Sequence, residues 1–336
     1  MTGGARLPIG LAAYSFGYLG GFVGAGTPRA CPDPFDAYSL IDLAVAHDLG
    51  GVEFPATRYL ANLSSAELTK ARDYAALHNL FIVLDGGIVD AAELQILLPA
   101  AREIGARTVR ATVSSLLCGD RREVRATWPG YLAEIAARLR QVRGLAEQTG
   151  VSIALENHQD LTSGELVALC EDLGSPFIGV NLDASNPLAV GEDPLNFARR
   201  ILPYLKNVHL KDYYLYSTQQ GFRLVRCPVG AGVLDVPGLL ALCADGAPQA
   251  TISIELGWLQ ERHIRLLEDD FWPGYPPRPI EELLPVLRLR EAKARPKSEH
   301  WRTPWERGEQ GAALASYEMS QFEDSVAYLK TLARGR

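Results

Sequence analysis

Apolar and small polar positions alternate in four stretches of the second half of the chain, and each stretch carries an acid or an imidazole near its end. In VSIALENHQD (residues 151–160), Val151, Ile153 and Leu155 share one parity, while Ser152, Ala154, Glu156 and His158 share the other. In FIGVNLD (177–183), Ile178, Val180 and Leu182 oppose Gly179, Asn181 and Asp183. NVHLKD (207–212) sets Val208 and Leu210 against Asn207, His209 and Lys211, and TISIEL (251–256) sets Ile252, Ile254 and Leu256 against Thr251, Ser253 and Glu255. A β-strand sends successive side chains to opposite faces, so each stretch predicts a strand with one greasy and one small polar face. A parallel barrel sheathed in helices explains both faces. The apolar parity packs on the helices, and the other looks into the barrel, placing Glu156, Asp183, His209 and Glu255 near strand ends.

The remaining units follow the same grammar. Residues 7–14 (LPIGLAAY) predict a first strand with Gly10, Ala12 and Tyr14 on one parity. The Gly- and Pro-rich stretch 17–34 is too long for a plain connection and reads either as a substrate loop or as a surface loop. A helix over 36–49 leads to a second strand, GVEFP, with Glu53 facing in, and a helix over 65–78 has Ser64 or Ser65 as its cap. LFIVLDGG is the third strand and 91–104 its helix. TVRATVSS (108–115) is the fourth strand, with Thr108, Arg110, Thr112 and Ser114 inward, and 131–149 is a long helix. Helices over 163–173, 194–202 and 236–244 separate the later strands, and GFRLVRCPVGAG reads as a loop closed by its GAG turn. The expected fold is an α/β (β/α)8 TIM barrel over residues 1–336 as one domain. A Pro-, Arg- and Trp-rich insertion, about 259–311 with a helix at 280–294, separates strand eight from a last helix at 312–333. Its position predicts a cover over the C-terminal mouth of the barrel or an oligomer interface.

Composition narrows the function classes. The 336 residues are 47% hydrophobic and 22% charged, enough apolar material for a large core, and a formal charge of −7 argues against a protein that lives on nucleic acid. The five cysteines (Cys31, Cys118, Cys170, Cys227, Cys243) form no CxxC pair and read as reduced thiols of a cytoplasmic protein. No run approaches the ~20 apolar residues of a membrane span.

Three carboxylates and an imidazole converging from four strand ends predict a metal site of hard oxygen ligands plus one His. This suits Mn²⁺ first, then Mg²⁺ or Co²⁺, with Zn²⁺ a further candidate. Without a cation the acids would repel one another strongly in a dry pocket. His158, on the parity of Glu156, reads as a base, a substrate donor or a group that orients a ligand. Lys211, beside His209, reads as a substrate-binding cation or as a salt-bridge partner of Glu156 or Asp183. Arg110 reads as a substrate-binding residue or, with Glu53, as no more than a charge pair inside the barrel.

The strand ends LENHQD, VNLDASNP, VHLKD and SIELGW resemble those of the sugar isomerase/epimerase superfamily of xylose-isomerase-like TIM barrels, over about residues 7–257 and the final helix. The resemblance implies Glu156, Asp183, His209 and Glu255 as metal ligands, with Glu156 and Glu255 also the acid–base pair, and a metal that polarises a carbonyl and its adjacent hydroxyl on the way to an enediolate. It implies a substrate-binding role for Arg226, and it marks Asn186 as a departure, because many epimerases carry a His near that position. The expected activity is a divalent-metal-dependent sugar isomerase or epimerase. The length of the insertion and the run Glu156-Asn157-His158 resemble the catalytic α-subunit of C-glycoside deglycosidases, which implies the alternative of a lyase on a 3-oxo sugar, as do decarboxylases of 3-oxo sugar acids. On either reading the partner is a small sugar or sugar derivative, with a homo-oligomer or a small partner subunit as the expected assembly. An endonuclease IV-like phosphodiesterase shares the barrel but needs more His ligands than six dispersed histidines provide.

Overall fold

In a computed structural model, which describes residues 7–60, 62–296 and 298–334, eight parallel strands close into a barrel. The first six and last two residues of the expected domain lie outside the described residues. The barrel strands are β1 (Leu7–Ala12), β2 (Leu49–Pro55), β3 (Phe81–Ile88), β4 (Thr108–Thr112), β5 (Ser152–Glu156), β6 (Ile178–Asp183), β7 (Leu205–Leu210) and β10 (Thr251–Ile254), and β1 pairs with both β2 and β10 to seal the circle. The outward parity is the one read from sequence. Val109, Ile153, Leu155, Val180, Leu182, Val208 and Ile254 are buried against the surrounding helices in one continuous core. The expected barrel and its helices are therefore present, with boundaries moved by a few residues. The helix expected from 131 runs Trp128–Thr149, because Trp128 is buried and Pro129 suits a first turn. Ser64, not Ser65, accepts the capping bond from Glu67 N.

The base of the barrel is plugged by Phe81. Its ring lies where a Cβ on Gly51 would fall, 2.4 Å from the nearest ring carbon, and 2.7 Å from one on Gly10. These two inward positions need glycine because an aromatic ring occupies the space of a side chain, and the polar inner wall begins only above it.

Three strands escape the sequence reading. Residues taken as a loop before the GAG turn form a hairpin, β8 (Asp212–Ser217) against β9 (Phe222–Cys227), and a short β11 (Arg262–Ile264) adds to it as a three-stranded sheet. The signal was there: DYYLYS and FRLVRC are rich in the aromatic and β-branched residues that favour strands, with Gly221 in a positive-φ turn between them. This sheet encloses a second hydrophobic cluster, in which Leu215, Phe222 and Leu224 meet Ile264, Phe271, Tyr275 and Val286. Residues 264–286 thus have a packed base of their own. The helix expected at 280–294 is a short 3-10 turn followed by Leu284–Lys293.

Arg226 ends up as a fastener and not as a wall of the cavity described below. It is fully buried, donating from Nε to Gln321 Oε1 (2.7 Å), from Nη1 to the Gly257 carbonyl (2.8 Å) and from Nη2 to the Ser15 carbonyl (3.0 Å). It also faces Glu318 at 3.7 Å, a buried acid that accepts from the backbone of Tyr18 and Leu19. One guanidinium thereby ties β9, the last helix Ala312–Arg334 and the ends of β1 and β10 together. The Gly- and Pro-rich stretch 17–34 is drawn into the same joint. Three of the N–H donors of Arg226, for which a substrate role was expected, are taken by protein groups. Arg226→Met should leave Glu318 buried and uncompensated and cost about 3–5 kcal/mol; chemical denaturation measures this, and a loss below 1 kcal/mol would contradict the fastening role.

Candidate functional site

The C-terminal strand ends bring the chemistry-bearing side chains together. Glu156 closes β5, Asp183 closes β6, His209 is the penultimate residue of β7, and Glu255 follows β10. The parallel register places Asp183 beside His209 and Ser253 beside His209, so neighbouring strands deliver these groups at one level. One ligand atom from each of Glu156, Asp183 and His209 lies within 4.8 Å of the other two, and all three are buried. Glu255 is joined to this group through His209 Nδ1, 2.7 Å from its Oε2.

His209 is held from both sides. Nε2 lies 2.5 Å from Glu53 Oε1, and Asn207 Nδ2 donates to Glu53 Oε2 at 3.0 Å. Asn207 also donates to Asn181 Oδ1 (2.6 Å) and accepts from Thr251 Oγ1 (2.5 Å). An imidazole whose one nitrogen is fixed by a carboxylate presents the other in a set direction, the arrangement by which proteins orient metal-ligating histidines. Glu53, expected to pair with Arg110, does this instead. Its inward parity on the second predicted strand could have suggested the partnership.

The acids are balanced by two more cations. Arg110 donates from Nε to Asp85 Oδ1 (3.1 Å) and pairs through Nη1 with Glu156 Oε2 (3.2 Å). Lys211 Nζ contacts Asp183 Oδ2 and lies 2.6 Å from Glu255 Oε1. Burial works against ionised Glu255, yet His209 and Lys211 hold its carboxyl well below the usual carboxylate range. Burial prevails at Asp183 and pushes it up to about 7 despite Lys211 beside it. Asp183 Oδ1 is buried without a hydrogen-bond partner.

Above this layer opens a cavity of about 440 Å³. Of the residues singled out from sequence, Glu156, Glu255, His158, Lys211, Asn186 and Arg110 line it. Asp183 and His209 lie behind that wall. Asn186 donates to Asp183 Oδ2 (2.5 Å) and to the Asn157 carbonyl (3.2 Å), and accepts from Tyr213 Oη (3.1 Å). Here it positions an acid, as well as facing the cavity. His158 Nδ1 is buried and unpartnered, and burial lowers the imidazole's pKa, so the ring is neutral near pH 7. Sequence reasoning missed Tyr213, Trp258, Gln260 and Arg262 as cavity residues. They come from the unread hairpin and from the segment after β10, which carry no barrel parity to read.

The loop after β5 holds one more buried acid. Asp160 accepts from Ser114 Oγ at 2.6 Å, its other oxygen has no partner, and burial pushes its carboxyl up to about 7. Between about pH 4 and 7 the folded chain keeps this proton while the unfolded chain has released it. The folded state then binds more protons, so stability falls as pH rises through that window and levels off above it. Compared with Asp160→Asn, wild type should lose up to ~1.4 kcal/mol per pH unit. Urea titrations of both proteins at several pH values in that window check the slope, and parallel stability curves would refute it.

A closed (β/α)8 barrel with buried acids and an oriented imidazole at its C-terminal strand ends is a TIM barrel with polar groups gathered at the face where that fold carries its active sites. The chain belongs to the xylose isomerase-like TIM barrel family, whose model matches residues 41–264. It is 27% identical over 304 residues to the uncharacterized protein YihM of Escherichia coli K12, covering 87% of each chain. It is 26% identical over 238 residues to a 3-oxo-isoapionate decarboxylase of Pectobacterium atrosepticum, covering 69% of this chain and 79% of that one. In fold it is similar to D-psicose 3-epimerase of Clostridium cellulolyticum, with a TM-score of 0.59 at 13% identity over 84% of this chain and 98% of that one. No helix among the described residues is long and apolar enough to cross a membrane.

Proposed function

We propose that this chain is an enzyme that removes a proton from the carbon next to a carbonyl of a sugar or sugar derivative, acting as an isomerase or epimerase. The observation that carries this reading is the clustering of Glu156, Asp183 and His209 within 4.8 Å, joined to Glu255, at the floor of a cavity of about 440 Å³. The donor set fits a divalent ion: hard oxygens, one imidazole fixed from behind by Glu53, and an Asp183 oxygen left without a partner. Held by Glu156, Asp183, His209 and Glu255, such an ion would supply Lewis-acid polarisation of the carbonyl and its neighbouring hydroxyl.

The rest of the chemistry belongs to side chains. Glu156 and Glu255 both line the cavity, on strands separated by β6 and β7, so they approach a bound sugar from different sides. One takes the proton and the other returns it to the opposite face or to the neighbouring carbon, a division of labour that suits paired carboxylates. Arg110 fixes Glu156 through an ion pair, and Lys211 fixes Glu255, so neither carboxylate swings freely. Lys211 and Asn186 are placed to meet substrate hydroxyls.

A second reading, a lyase acting beside a 3-oxo group, is favoured by two observations. His158 offers an unpartnered, neutral imidazole in the cavity wall, and one relative is a 3-oxo-isoapionate decarboxylase. Brought to this chain, that reading makes His158 the general base or acid.

Asp183→Ala and His209→Ala should each remove most bound divalent ion, measured by metal analysis of the purified proteins; full occupancy in both would sink the ligand set. Incubated with Mn²⁺ and a panel of ketoses and 3-oxo-glycosides in D₂O, wild type should place deuterium at the carbon beside the carbonyl, and absence of exchange with every member would contradict the function. In the same assay His158→Ala separates the readings. A change of a few-fold with metal retained supports the isomerase, and a loss on the order of 10²–10⁴ with metal retained supports the lyase.

A further inference from the structure

The cavity wall holds three cationic side chains, and one of them has no partner. Arg110 is bound to Asp85 and Glu156, and Lys211 to Asp183 and Glu255. Arg262 lines the same cavity, yet among the described residues its guanidinium makes no hydrogen bond and no ion pair. The adjacent acid does not serve it, because the Glu261 carboxylate is taken by Arg223. Arg262 is not a loose surface residue. It begins β11, opposite Leu224 on β9, and shares its side of the strand with the fully buried Ile264, while His263 on the other side bonds Thr218 Oγ1 at 3.1 Å. Burial pushes the neighbouring Cys118 thiol up to about 11, with the Arg262 charge pulling the other way, which places that charge beside a half-buried group.

A half-enclosed guanidinium with five donors, none of them hydrogen-bonded among the described residues, is a recognition group waiting for an acceptor. Arg110 and Lys211 are each already shared between two acids, so among the described residues Arg262 is the cation of this wall whose donors are left for a ligand. A single guanidinium matches a single planar carboxylate, which it grips with two parallel N–H···O bonds. A phosphate dianion would call for more than one free cation, and the wall offers one. Trp258 stands in the same wall with part of its indole exposed, an apolar face for a sugar ring.

We propose that Arg262 receives the carboxylate of the substrate, so that the cavity takes a sugar acid and not a neutral sugar. This rests on the reading of the cavity as a sugar site, and it assigns specificity to the segment after β10 and proton chemistry to the barrel.

The test is calorimetric binding to the full chain loaded with Mn²⁺, using gluconate, its neutral counterpart glucitol, and glucitol 6-phosphate as probes. Wild type should bind gluconate at least tenfold more tightly than glucitol, and Arg262→Gln should abolish that preference, while Arg262→Lys keeps part of it. Equal binding of gluconate and glucitol by wild type, or a preference that survives in Arg262→Gln, would overturn the assignment. Tighter binding of the phosphate than of gluconate would overturn the choice of a carboxylate. The two readings fail separately. Deuterium exchange without a gluconate preference leaves the proton chemistry standing and removes the role of Arg262. A gluconate preference lost in Arg262→Gln, without exchange into any sugar, does the reverse.

Discussion

Five carboxylates, Glu53, Asp85, Glu156, Asp183 and Glu255, are buried inside one barrel, and the whole mouth depends on the three cations threaded between them. Arg110 bridges Asp85 and Glu156, His209 bridges Glu53 and Glu255, and Lys211 bridges Asp183 and Glu255. Each cation touches two acids, so no cation can be removed without leaving at least one buried charge short of a partner. Such a network is a poor source of stability, since well-packed apolar groups would do as well. Its persistence at the strand ends is better explained by what it positions than by what it stabilises.

The network is layered. At the base, Phe81 fills the barrel against Gly10 and Gly51 and keeps water out from below. Above it Asn181, Asn207, Thr251 and Glu53 form a satisfied amide–hydroxyl–carboxylate layer that fixes the back of His209. The acids come next, and the cavity opens over them. Each layer restricts the one above it, so an imidazole and three acids stay at one level on four separate strands. Within that setting an oxygen of Asp183 is left unpartnered, as are Asp85 Oδ2 and Ser253 Oγ on other strands of the barrel.

The barrel and this inner wall were legible in sequence because a strand of a (β/α)8 fold writes its geometry as strict alternation. Ile153, Leu155, Val180 and Val208 announced the helix side, and Glu156, Asp183 and His209 therefore had to point inward. What alternation cannot say is which inward group meets which. Glu53 was seen as inward, but its partner is His209, 156 positions away in the chain, and not Arg110. Arg226 illustrates the opposite failure. It lies in a strand, FRLVRC, that was taken for a loop ahead of the GAG turn, and its burial under the final helix depends on Gln321 and Ser15, contacts with no local signature. The segment after β10 was recognisable as an insertion by length alone. That it would carry a strand, a hydrophobic base and Arg262 follows from pairing with β9, which the sequence does not mark.

The two sheets have different physical duties. The barrel is closed, so its inner side chains have few alternatives and can hold a charged cluster in one geometry. The three-stranded sheet is open, and it packs through Leu215, Phe222, Leu224 and Ile264 on a small apolar base separate from the barrel core. Substitutions at Trp258, Gln260 and Arg262 need not disturb the ion pairs below, because these residues take no part in them, whereas Tyr213 of β8 reaches Asp183 through Asn186. One wall of the cavity is thus free to vary while the other is bound by its charges.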